Sequence, residues 1–308
     1  MTRRLVSLAL AVFVAVTLGA TTADARPVTR LPIIYVASAI ENPSLSQVFD
    51  APMRARGYSV YTFQTNDPTD PDNNPWLTIR GNSRKLGRWV DALSRRTGHK
   101  KFDVVGISQT GLVTRYWLKD FGGQKYIRKA VLLSGLILGS PFQAQLLRKD
   151  DCRIPADRRM YLPPKHRNIK RSPGCAEEAM GSNAVNALNT PTQALPGIKY
   201  YNVTTLLEEE AAPFWINLMT GPGDYKNIVT QDLCPNDPVV HMTLNVQPAM
   251  HSLIDSLLRT GVPRMACDVP VVPGVPTLAD THRVARAPSE APLPPGTVVP
   301  PQFRKYYR

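Results

Sequence analysis

The sequence predicts an α/β fold, a mostly parallel sheet flanked by helices with one insertion over its end. Two observations carry this. Short strand-like runs alternate with helix-like segments from residue 31 to about residue 260, the order that builds parallel strands through crossover helices. Several of the runs are near-continuous in β-branched and aromatic residues, as strands covered on both faces are. The 308 residues, 43% hydrophobic and 20% charged, suffice for a sizeable core and argue against a collagen-like, coiled-coil or wholly disordered chain.

In chain order, strands are expected at 31–36, 58–63, 102–107, 128–133, 199–205 and 227–233. Residues 79–97 place Leu86, Val90 and Leu93 at helical spacing, and 109–121 place Leu112, Tyr116 and Phe121 on one face. A last helix includes residues 251–258 and stops at Gly261 and Pro263. The rhythm breaks twice. Residues 140–195 hold a basic, Pro-bearing loop and one helical piece at 177–188, with nothing that reads as a strand. Residues 268–308 hold nine prolines, few large aliphatics and a net charge of +2. Such a segment buries too little apolar area to offset its ordering entropy, so a disordered, extended tail is expected. No internal repeat interrupts the domain at 26–267.

Residues 1–25 read as a cleaved secretory signal peptide. Arg3 and Arg4 precede an apolar run, and Ala23-Asp24-Ala25 supplies a small-x-small cleavage site. No cysteine sits at the cut for lipid anchoring, and no later apolar stretch approaches the length of a membrane span. A secreted chain is expected. Cleavage removes two Arg and one Asp and takes the net charge from +13 to +12. Half of that excess comes from 148–171, where nine basic and three acidic side chains accompany a single aromatic, Tyr161. Without aromatic interleaving or a helical period for groove insertion, this pattern fits a solvated loop facing an anionic envelope or lipid surface. It does not fit a nucleic-acid site. Cys152, Cys175, Cys234 and Cys267 are an even set in an exported chain, which favours disulfides with three connectivities open. There is no Cys-x-x-Cys pair, so a zinc knuckle is not expected.

The most informative phrase is Phe102-Asp103-Val104-Val105-Gly106-Ile107-Ser108-Gln109-Thr110-Gly111. A strand ends, a serine follows and a helix begins at once, the context of a nucleophile elbow. The neighbours at −2 and +2 must be small so that strand and helix can approach. Gly106 satisfies this, whereas Thr110 stands where glycine is usual and Gly111 comes one residue late. The Gln109 N–H would open the helix, where unpaired N–H groups and the dipole favour an oxyanion. The plain alternative is a serine N-cap.

A serine nucleophile needs a base and an orienting acid. Of the five histidines, His99 lies in a polar turn, His166 in the basic loop, His282 in the tail and His251 on the last helix. His241 follows the last expected strand and precedes that helix, which is where a base belongs at the carboxyl edge of a sheet. The order serine, acid, histidine points to the run Glu208-Glu209-Glu210 after the fifth strand. Three adjacent carboxylates are usually a solvated face, and only one is expected to orient the imidazole. Asp224 and Asp232 are the rivals.

Together these residues resemble the secreted bacterial class 2 lipases of the α/β-hydrolase fold, and more distantly the yeast lipase B type. The likeness covers roughly residues 31–267, anchored at 33–44, 103–111, 201–213 and Gln231-Asp232-Leu233-Cys234-Pro235 through His241. It implies an α/β-hydrolase sheet with 140–195 as a cap or lid, Ser108 as nucleophile and His241 as base. Alignment on Pro213 puts Glu208 at the family's Asp, and the backbone N–H groups of Gln109 and Ala39 become the oxyanion hole. It also implies Cys234–Cys267, leaving Cys152–Cys175 to close the basic loop. The expected activity is serine carboxylic-ester hydrolysis (triacylglycerol lipase or carboxylesterase) of an acyl ester or lipid through an acyl-enzyme, with acyl transfer to another acceptor using the same groups. No metal or cofactor is implied, and a monomer is expected. Three positions depart from the pattern. Ala37-Ser38-Ala39 replaces a His-Gly-Thr or Pro-Gly-Thr phrase, Thr110 replaces Gly, and Glu208 replaces Asp. They leave an alternative, a hydrolase-like protein of weakened or lost turnover that binds a lipid or envelope ligand.

Overall fold

Six strands form one fully parallel sheet in the order β2-β1-β3-β4-β5-β6. They are β1 (Ile33–Val36), β2 (Val60–Phe63), β3 (Phe102–Ile107), β4 (Ile127–Leu133), β5 (Lys199–Thr204) and β6 (Tyr225–Val229). This computed structural model describes residues 30–39, 41–66, 74–154, 164–270 and 300–307. The expected signal peptide, Tyr161, His282 and most of the tail lie outside the described residues.

Successive strand residues point to opposite faces, and both faces are buried. Ile34, Val36, Val104 and Leu132 join one apolar cluster, packed under α2 (Ile79–Thr97) and α3 (Gln109–Asp120). Ile33, Tyr35, Val105 and Val131 join the other, under α1 (Gln47–Ala55) and the last helix, α8 (Pro248–Thr260). Two-sided burial is why these strands read as unbroken apolar runs. In α2, Leu86, Val90 and Leu93 are buried as their spacing requires. The helix starts at Thr78, whose hydroxyl accepts from Gly81 N at 3.3 Å, and ends at Gly98 with φ 76°.

Several expectations need correction. The sixth strand is Tyr225–Val229, and Thr230–Leu233 is a helical turn, α7. Gln231 folds that turn back, donating from Nε2 to Thr205 Oγ1 (2.9 Å) and Asp237 O (3.1 Å), while its Oε1 accepts from Leu206 N (2.8 Å). The helical piece at 177–188 is two helices, α5 (Pro173–Glu178) and α6 (Asn183–Asn189). The first ends where Ala179 turns extended (ψ 134°), Gly181 at φ 78° lies in the turn that follows, and Ser182 starts the second by accepting from Val185 N at 3.1 Å. The insertion also contains α4 (Pro141–Arg148), capped by Ser140. Helix α1 has little sequence signal because only Phe49, Asp50 and Met53 are buried along it. At the chain's end, Pro301–Tyr307 forms a 3₁₀ turn, and Phe303 is buried edge-on against Phe214 at 6.4 Å. That part of the tail has an apolar anchor and is not extended.

Cys152 is bonded to Cys175 within the insertion, and Cys234 to Cys267 across the last helix. No helix among the described residues is long and apolar enough to cross a membrane. Because Cys234–Cys267 ties the segment before His241 to the end of the domain, the double substitution Cys234→Ser/Cys267→Ser is expected to cost about 2–4 kcal/mol. Urea denaturation of the purified protein measures this, and an unchanged midpoint would refute it.

Candidate active site

β3 ends at Ile107 and α3 begins at Gln109, so the whole turn falls on Ser108, at φ 55° and ψ −133°. A residue with a Cβ held there stores of order 1–3 kcal/mol of strain, which persists only where the surroundings impose it. Here they do. Ser108 N donates to Leu133 O of β4 (2.9 Å), and Gly111 N donates to Ser108 O (2.9 Å). The Ser108 side chain makes no capping hydrogen bond, so the N-cap alternative does not describe it.

A Cβ on Gly106 would stand 2.7 Å from Thr114 Oγ1, so the small residue at −2 is required. At +2 the Thr110 hydroxyl turns inward beneath the elbow. It accepts from Ile107 N at 3.0 Å and lies 2.7 and 2.8 Å from the carbonyl oxygens of Ile107 and Val36. The close approach that calls for glycine has moved one residue along, since a Cβ on Gly111 would sit 2.5 Å from Gly135 Cα.

His241 opens a short 3₁₀ turn beyond β6, and its Nδ1 lies 2.6 Å from Glu208 Oε1, though the N–H is not aligned on that oxygen. Both residues are buried. Glu208 Oε2 accepts from Ser134 Oγ (2.5 Å), and Oε1 accepts from Ala211 N (2.8 Å) and Glu210 N (3.2 Å). Burial would raise the Glu208 carboxyl, but the adjacent His241 charge, with the Ser134 hydroxyl and Ala211 N, holds it below its ordinary value. Burial would likewise lower His241, and the Glu208 carboxylate overrides it, raising the imidazole to about 8.

Glu208 is not the only buried carboxylate of the run. Glu209 is also buried and accepts from His241 N (2.8 Å) and Met242 N (3.2 Å), whereas Glu210 is exposed. The rivals lie elsewhere: Asp224 pairs with Lys199, and Asp232 with Lys305 at 3.6 Å. His251 is buried and donates from Nε2 to Asn245 O at 2.8 Å, and burial pushes it down to about 4. His99 is exposed at its turn, and His166 is half-buried in the basic loop.

Sequence reasoning missed four contributors. Ser134 (φ 40°) follows β4 at the same carboxyl rim, a position that marks it once strand order is known. Glu41, just beyond Ala39, accepts from Tyr35 Oη (2.9 Å) and Ser46 Oγ (3.2 Å). Asn245 Nδ2 donates to the same Tyr35 Oη at 2.9 Å and also contacts Glu41, so the loop after β1 is joined to the loop after His241. Glu178 accepts from Gln109 Nε2 at 2.8 Å across 69 residues of sequence, and no local motif marks it. No group of three or more His, Cys, Asp and Glu among the described residues is arranged to hold a metal ion.

No family model matches the chain, and neither does any curated protein. Solved structures do. Aspergillus fumigatus lipase B is 14% identical with a TM-score of 0.57; the match covers 86% of this chain and 57% of the lipase, so this chain spans little more than half its length. A 2-hydroxy-6-oxo-6-phenylhexa-2,4-dienoate hydrolase from Rhodococcus sp. strain RHA1 is 13% identical (75% and 91% covered, TM-score 0.49). A thermophilic esterase from Thermogutta terrifontis is 14% identical (75% and 90% covered, TM-score 0.45). Likeness at such identities concerns the fold, and that fold is the α/β-hydrolase one.

The Gly111–Gly135 approach makes a direct prediction. Gly111→Ala is expected to lower the unfolding free energy by about 1–3 kcal/mol through overpacking, whereas Thr110→Ser, which keeps the hydroxyl, leaves it nearly unchanged. Denaturant titration compares the two, and a tolerated alanine at 111 would contradict the account.

Proposed function

We propose that the protein is an exported serine carboxylic-ester hydrolase acting on an acyl ester or lipid. The observation that carries this reading is the buried Glu208–His241 contact, on the same sheet rim to which the strained turn delivers Ser108. Ser108 Oγ attacks the ester carbonyl carbon while His241 takes its proton. The N–H groups of Gln109 and Ala39 hold the oxyanion. As the tetrahedral intermediate collapses, the bond to the alcohol breaks and the imidazolium returns the proton to the leaving oxygen. Water, deprotonated by His241, then attacks the acyl-enzyme; the bond to Ser108 Oγ breaks, the imidazolium returns the proton to that oxygen, and the acid leaves. Glu208 holds the imidazole tautomer and stabilises the imidazolium. Its extra methylene relative to Asp is taken up by the Ser134 and Ala211 anchors.

Several features support the cellular setting and the substrate class. An apparent signal peptide precedes the domain, and two disulfides fit an oxidising compartment. Leu206 and Met242, neighbours of the site in sequence, expose 40% and 47% of their surface, and Phe142 and Leu147 of the insertion are exposed too. This apolar fringe beside a basic loop suits a lipid substrate or an anionic envelope surface, with 140–195 as a cap over the site of a monomer.

One observation favours a second reading. Ala39 has no hydroxyl to offer an oxyanion, and losing one such donor costs about 10²–10³ in rate. A ligand-binding protein with little turnover would use the same site.

A fluorophosphonate probe separates the two. It is expected to label Ser108, and Ser108→Ala is expected to abolish both labelling and p-nitrophenyl ester cleavage; a folded but unlabelled protein would favour the binding reading. The pH dependence has a definite sign. His241 must be neutral to accept a proton, so kcat/KM is expected to rise with pH and level off above about 8. Glu208→Gln removes the charge that raises the imidazole, so the limb is expected at lower pH, with kcat down by at least about 100-fold. Glu209→Gln, which keeps an acceptor oxygen for the main chain, is expected to cost less than about tenfold. Equal losses would overturn the assignment of the acid.

A further inference from the structure

Glu178 is a buried carboxyl group that the mechanism above does not use. It is the last residue of α5, and its main chain is locked in place. Its carbonyl accepts from Ser140 N at 2.8 Å, while Met180 N donates to Ser140 O at 2.9 Å. A Cβ on Gly139 would lie 2.8 Å from that carbonyl oxygen. The helix is held as well. Glu177 accepts from Thr78 Oγ1 (2.7 Å) and Arg80 N (3.2 Å), and Cys175 is bonded to Cys152. From this anchored position the Glu178 side chain reaches Gln109, the residue next to Ser108, accepting from Nε2 at 2.8 Å. The other end of the same amide, Gln109 Oε1, is buried without a hydrogen-bond partner. The amide is therefore oriented from the insertion.

We propose that Glu178 is a positioning residue of this centre: it clamps the Gln109 side chain and so fixes the first turn of α3, whose N–H faces the developing oxyanion. This rests on the reading of Ser108 as nucleophile. The clamp makes α5 of the insertion a wall of the site. Around Glu178, the neutral Gln109 amide comes from α3, and the His241 charge acts from the loop after β6, with Glu208 and Glu209 beyond it. Burial raises the Glu178 carboxyl to about 7, and Gln109 and the His241 charge oppose that rise.

Two measurements test the clamp, one with turnover and one without. Kinetically, Glu178→Ala is expected to lower kcat about tenfold with KM within twofold, and Glu178→Gln, which keeps an acceptor for Nε2, to restore kcat to within about threefold. In a Gln109→Ala background the loss on Glu178→Ala is expected to disappear. A merely structural role would give the same loss in both backgrounds, and that result, or no loss in a folded Glu178→Ala protein, would overturn the proposal. Independently of turnover, the Gln109 side-chain amide protons followed by NMR are expected to shift with pH around a midpoint near 7 in the wild type and not in Glu178→Gln. A wild-type amide indifferent to pH would also overturn it. If the wild type resists the fluorophosphonate while its amide titrates, the ester-hydrolase reading fails and the positioning role falls with it, leaving only the Glu178–Gln109 contact. Should Glu178→Ala not fold, Glu178→Gln and the amide titration decide alone.

Discussion

A carboxylate and an imidazole buried side by side set the terms for everything at the carboxyl rim of the sheet. Desolvation alone would drive Glu208 and His241 each toward its neutral form, and only their mutual charge and a full set of donors reverse that. The local structure supplies those donors. Ser134, at φ 40°, gives one oxygen its hydroxyl, and Ala211 N and Glu210 N serve the other. Glu209 takes the main-chain N–H groups of His241 and Met242, so the loop holding the imidazole is fixed by a second buried carboxylate. Adjacent residues of one acidic run thus do different work, one on a side chain and one on a backbone.

The strand–helix turn at Ser108 shows how a packing requirement can be met by displaced residues. The glycine usual at +2 exists to let the helix approach, and here that approach is made by Gly111 against Gly135. Thr110, freed from that constraint, uses its hydroxyl to tie the ends of β1 and β3 beneath the Ser108 turn. The loop after β1 lacks a hydroxyl at Ala39 but is itself tethered. Tyr35, Glu41 and Asn245 join it through a buried polar network to the segment following His241. Networks of this kind rigidify when every member is satisfied, which is how two loops from distant parts of the chain keep a common geometry.

Legibility followed the range of the forces involved. Elements governed by local pattern were readable. The 3.6-residue spacing in 79–97, the apolar run 102–107 and the Ser108 turn all match the structure. Where a side chain from afar arbitrates, the reading strayed. Gln231 bends 230–233 out of the sheet by bonding Thr205 and Asp237, and Phe303 gives part of the tail an apolar partner at Phe214. The break between α5 and α6 had a local signal, Gly181 followed by Ser182, and helical spacing alone obscured it.

By itself the sequence determined a parallel α/β sheet, a serine on a strand–helix turn, a histidine before the last helix and an acidic run between them, because periodicity and turn chemistry act over a few neighbouring residues. Tertiary structure alone decided that Glu209 braces the main chain of the His241 loop, which glycine bears the close contact and which insertion residue reaches Gln109. Those choices depend on distances across β3, β4 and β5, where a difference of an ångström separates a hydrogen bond from none, and no local pattern in the chain encodes them.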